Sequence, residues 1–105
     1  MFAQKQATYD QRAGSAGSTA VIAEVGFNGS NAYATARSVS GANIDAAMNG
    51  TVYYHGGDSV AIRGSFSQRS YGQAKRNVDG SIYMVTCQFN ITSDDGEWNP
   101  YLVTY

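Results

Sequence analysis

The chain has 105 residues, of which 43% are hydrophobic and 14% charged, with 7 Lys and Arg against 8 Asp and Glu and a net charge of -1. That length holds one core and excludes two, and the charge balance lacks the positive field that phosphate backbones require, so nucleic acid is set aside as a partner. No apolar run approaches the roughly 18 residues of a membrane span, the N-terminus has no charged-then-apolar layout of a leader, and a lone cysteine admits neither an internal disulfide nor a cysteine-based zinc site.

Residues 1–18 read as an N-terminal arm ahead of a single β domain, 19–105. Phe2 and Tyr9 are its only large apolar side chains, and it runs into the Gly- and Ser-rich stretch Ala13 to Ser18. A strand over about Phe2 to Tyr9, added to this sheet or to a neighbour's, is the simplest account of such a segment. From Thr19 the alternation becomes regular: Val21, Ala23, Val25 and Phe27 share one face and Glu24 lies on the other. Asn28-Gly29 then supplies a tight turn into a strand over Ala32 to Val39.

Ala42 to Asn49 reads as a single helical turn on the Ile44 to Met48 spacing. A second hairpin follows, Thr51 to His55 and Asp58 to Phe66 about Gly56-Gly57, with Val60, Ile62 and Phe66 facing one way and Arg63 and Ser65 the other. Asp79-Gly80 and Asp94-Asp95-Gly96 mark further turns, between strands over Tyr71 to Val78, Ile82 to Thr92 and Trp98 to Tyr105. Ile82 to Val85 is apolar on both faces, the mark of a central strand, and Pro100 belongs at an edge or bulge because it has no N–H for a ladder. The fold class is therefore all-β, an antiparallel hairpin-built sandwich or small barrel of about seven to eight strands. Its expected core is Val25, Phe27, Val60, Ile62, Phe66, Val85, Cys87 and Phe89, with Cys87 a buried small hydrophobe.

No residue constellation points to catalysis. His55 stands alone beside a hairpin tip, no Gly-x-Ser-x-Gly elbow is present, and no glycine loop opens a helix to cradle phosphate. Arg63, Arg69, Lys75 and Arg76 are the nearest approach to a basic patch and read as a solvated strand face. Low charge with abundant Tyr, Asn and Ser instead suits an extracellular binding module or a subunit packed into an assembly, since hydroxyls and amides hydrogen-bond without the desolvation cost of full charges.

The candidate ligand site gathers Trp98 and Tyr101 with Asp94, Asp95 and Asn90, where rings and oxygen acceptors stand beside a turn. No cofactor is expected, and calcium is the one metal that Asp94, Asp95 and Glu97 would suit. Tyr53 and Tyr54 beside His55 form a second aromatic group, and adjacency in a strand sends them to opposite faces. Asn28, Asn49 and Asn90 each begin an Asn-x-Ser/Thr acceptor pattern. The stretch Asn49 to Phe66 resembles the Asn-Gly-Thr hairpin of cyanobacterial-type mannose-binding barrel lectins, without their paired repeats and tryptophan-rich loops, and no binding residue is carried over from it.

The expected function is non-enzymatic, a lectin-like carbohydrate-binding module of extracellular type. The alternative is a structural subunit of a homomeric assembly, a virion, tail or surface fibre, that uses its arm for subunit contacts. The expected partners are thus carbohydrate or further copies of the chain, with a homo-oligomer as the form in solution.

Overall fold

The computed structural model describes residues 7–78 and 81–105, so Phe2 and the Asp79-Gly80 turn lie outside the described residues. Period-two alternation yields antiparallel strands throughout: β1 (Thr8–Ala16), β2 (Thr19–Phe27), β3 (Asn31–Ser38), β4 (Ile44–Tyr54), β5 (Ser59–Arg69), β6 (Tyr71–Asn77), β7 (Ile82–Ser93), β8 (Gly96–Trp98) and β9 (Tyr101–Thr104). They form a four-stranded sheet, β1-β2-β3-β6, and a five-stranded sheet, β5-β4-β7-β8 with β9 also on β7. The sheets face each other as a sandwich, with β1 over β8 and β9, β2 over β7, β3 over β4 and β6 beside β5.

The two sheets contribute unequally to the core. The inner face of the four-stranded sheet is lined by alanines on β3 and β6, Ala32, Ala34, Ala36 and Ala74, with Ala23 among the larger Val21, Val25 and Phe27 on β2, while the five-stranded sheet supplies Ile44, Met48, Val52, Ile62, Phe89 and Leu102, all buried. Small against large lets the layers interdigitate at native density. Every expected core residue faces inward, although Val60 and Phe66 are only half-buried because β5 is an edge strand.

Two expectations are corrected. Ile44 to Met48 does not form a helical turn: Ile44, Ala46 and Met48 are buried at alternate positions of β4, because the same apolar pair that is four apart on a helix face is also in phase with a strand of period two. The last strand, expected as one piece from Trp98, is divided into β8 against Ile91–Ser93 and β9 against Val85–Gln88. Pro100 sits at the break, where its carbonyl accepts the Phe89 N–H at 2.9 Å. The Gln88 amide closes the gap, donating to the carbonyls of Asn99 and Pro100 at 3.2 and 3.3 Å.

The chain changes sheet twice at one end of the sandwich. Gly41 (φ 84) turns the β3 to β4 connection. At the β5 to β6 corner Gln68 takes φ 55, and its N–H donates to the Asp45 carboxylate at 2.8 Å. Donation from Gln68 and from the Ser67 hydroxyl holds the Asp45 carboxyl below the usual carboxylate range.

Of the segment read as an arm, Thr8 to Ala16 pair with β2, Thr8 opposite Phe27 through Ala16 opposite Thr19. Its turn, Gly17 (φ 60) and Ser18, is tied to the β7–β8 turn: the Asp95 carboxylate accepts from the Ser18 N–H at 3.1 Å and from its hydroxyl at 2.6 Å. Ser93 Oγ adds a bond to the Ala16 carbonyl at 2.7 Å. At the other end of β1 the Thr104 hydroxyl donates to that of Thr8 at 3.2 Å.

Candidate functional site

The structure separates the five residues expected to form a site. Trp98 pairs with Ile91, so it shares the inward face, and its indole lies where a side chain on Gly14 of β1 would have to go. Asp95 is occupied by Ser18 and Ser93, and those donors hold its carboxyl below the usual carboxylate range. Asp94 is exposed in the turn. Only Asn90 and Tyr101 share a surface, the outer face of the five-stranded sheet, where the pairing of Tyr101 with Gln88 makes them diagonal neighbours. The acidic turn does not converge on a metal position either: no cluster of three or more His, Cys, Asp or Glu suited to a metal occurs among the described residues.

The second aromatic group does assemble. Tyr83 stands 6.2 Å from Tyr53 and 5.4 Å from His55, ring centre to ring centre, beside the β4–β5 turn. Tyr54 turns the other way and packs on the core, as adjacency in a strand requires.

A better-ordered surface covers the outer face of the four-stranded sheet. Register sets three rows across it: Tyr9, Gly26, Tyr33 and Lys75; Gln11, Glu24, Thr35 and Gln73; Ala13, Ile22, Arg37 and Tyr71. Gly26 has no side chain, and the Tyr33 ring fills that space. So placed, the Tyr33 hydroxyl donates to Glu24 Oε2 at 2.8 Å, while the Gln11 amide donates to Glu24 Oε1 at 2.9 Å. Burial of the ring and the adjacent carboxylate both push the Tyr33 phenol upward, so it remains a donor at any physiological pH. Tyr9 and Tyr71 flank this cluster at opposite corners, 66% and 52% exposed.

The arrangement offers ring faces at the corners and a fixed carboxylate, amide and phenol between them. None of it depends on a mobile loop, since each side chain stands on a paired strand. Sequence reasoning passed over Gln11, Glu24, Tyr33 and Tyr71: a two-residue Asn28-Gly29 turn would set Gly26 opposite Asn31, whereas the observed connection pairs Phe27 with Ala32 and so sets Gly26 opposite Tyr33. Compared with known proteins, the chain matches no family model, no curated protein and no solved structure.

Proposed function

We propose that this protein is a non-catalytic carbohydrate-binding module that holds a saccharide on the outer face of its four-stranded sheet. The observation that carries the reading is the pair of hydrogen bonds that Gln11 and Tyr33 donate to the Glu24 carboxylate, set between the exposed rings of Tyr9 and Tyr71. Sugars present apolar C–H faces edged by hydroxyls. Rings take the faces, and carboxylate and amide groups already fixed in place take the hydroxyls with little further loss of side-chain freedom. Compared with the turn-based site that the sequence favours, the chemistry is the same and the location differs.

A glycan array probed with the full chain and with Tyr9→Ala/Tyr71→Ala tests the reading. Binding by the unaltered chain and its loss in the double variant, with the β-type circular dichroism retained, is the expected result. A blank array for the unaltered chain would sink it.

The assembly reading keeps one supporting observation, the outer edge of β1, which pairs with no other described strand. Against strand addition there, Asp10 and Arg12 occupy inward-facing positions of that edge, an arrangement that discourages edge-to-edge pairing.

A further inference from the structure

The edges of β5 and β6 form a seam between the two sheets. Towards the Ser70 corner it is closed: a side chain on Gly64 would meet Ala74, and one on Gly72 would meet Phe66. Towards the other end it opens into a pocket of about 440 Å³ lined by Ala61, Ile62, Arg63, Lys75 and Arg76. Three of the chain's 7 Lys and Arg residues therefore line one depression in a protein of net charge -1.

Among the described residues, no acidic side chain stands opposite them in the sheets. The cross-strand partners are Asn49 for Arg63, Tyr33 for Lys75 and Ala32 for Arg76. Arg76 is anchored rather than free, since its Nη1 donates to the Ala61 carbonyl at 3.1 Å. That bond leaves the remaining guanidinium donors in a fixed orientation.

Main-chain donors point the same way. Tyr54 donates its N–H to the Asp58 carbonyl, which makes that opposed pair hydrogen-bonded. Counting along the register, Thr51/Ala61 and Asn49/Arg63 are then non-hydrogen-bonded pairs, so the N–H groups of Ala61 and Arg63 point away from β4 and into the seam together with their carbonyls, of which that of Ala61 is taken by Arg76. Donation from Val78 N–H to the Ser30 carbonyl sets the same count on β6 and turns the Lys75 N–H away from β3. Cationic side chains with unpaired main-chain N–H groups above the buried Ile62 suit an oxyanion.

We infer that the open end of the β5–β6 seam binds an oxyanion substituent of a saccharide, a sulfate ester or a uronate carboxylate. This rests on the carbohydrate reading, because Lys75 stands in the same cross-strand row as Tyr9 and Tyr33 and so joins the pocket to the proposed saccharide face. A chain lying on that face would place an acidic group round the β6 edge.

The test titrates the full chain with a heparin-derived hexasaccharide, with the same hexasaccharide after desulfation and carboxyl reduction, and with inositol hexakisphosphate. Arg63→Ser/Arg76→Ser is the pocket variant, both side chains being exposed and neither lying on the saccharide face, and Tyr9→Ala/Tyr71→Ala is the face variant. The acidic hexasaccharide is expected to bind about tenfold or more tighter than its neutral form, the gain of roughly one charge-assisted hydrogen bond. The pocket variant should erase that preference and leave the affinity for the neutral form unchanged, whereas the face variant should weaken both forms alike. A preference that survives in the pocket variant, or no preference at all with the neutral form still bound, overturns the pocket and spares the carbohydrate reading. Failure of both saccharides overturns both, and phosphate binding lost in the pocket variant would then identify an anion site of a different kind.

Discussion

The indole of Trp98 on β8 occupies the space above Gly14 on β1, so that a ring from one sheet seals the side of the sandwich against the bare backbone of the other. The two positions are therefore complementary. Trp98→Ala is expected to cost about 2 to 3 kcal/mol of stability, somewhat less than a fully buried tryptophan. Gly14→Ala should cost about 1 to 3 kcal/mol by forcing the ring aside. Urea unfolding with an unchanged m-value reads both. A Trp98→Ala variant as stable as the parent would mean that the ring does not seal the β1–β8 side of the sandwich.

Phe89, fully buried on the central strand β7, tests the core directly. Phe89→Ala is expected to lose about 3 to 5 kcal/mol. Val60→Ala, at the half-buried edge, should lose about 1 kcal/mol. Chemical denaturation of both variants checks the gradient from centre to edge, and equal losses would contradict it.

Asp95 links stability to pH. Donors from Ser18 and Ser93 lower its carboxyl from the ordinary 3.8, so the folded state favours the ionised form. Its contribution is then fully present above the unfolded value and is lost as pH falls through the lower, folded one. Thermal melts of the parent and Asp95→Asn from pH 7 down to pH 2 should differ most at neutral pH and converge in acid. A gap that stays constant across the range would show that the carboxylate charge plays no part.

Cys87 is fully buried, and burial pushes its thiol up to about 12. In the folded protein at pH 8 it should resist an aromatic disulfide reagent, reacting only as fast as the sheet opens, and it should react at once in denaturant. Immediate modification without denaturant would place β7 at the surface.

The hairpins were legible because each turn carries its own chemistry: Gly29 takes φ 98 and Gly57 φ 95, conformations that glycine adopts without strain. The face of Trp98 was legible in principle. Trp98, Pro100, Leu102 and Thr104 alternate inward straight across the break, leaving Tyr101 and Tyr105 outward, but nearness to an acidic turn made the indole look presented. The Gln11–Glu24 contact was out of reach, because it needed the register of a strand whose Gly- and Ser-rich composition resembles a linker. The basic pocket was hidden for a related reason. Arg63 and Lys75 sit on strands of different sheets, and only the corner at Ser70 brings those edges together.

The ties between the first and last strands also bear on how the chain folds. Ser18 and Asp95 are 77 positions apart, and Thr8 and Thr104 are 96 apart, so β1 meets its cover across the sandwich only once almost the whole chain is available. Closing loops of that size delays the reward for ordering the N-terminal strand. On a ribosome the alanine-lined sheet must wait, with its apolar face uncovered, for the C-terminal strands to emerge. Loss of the last few residues would therefore be felt first at the opposite terminus, as early proteolysis along β1.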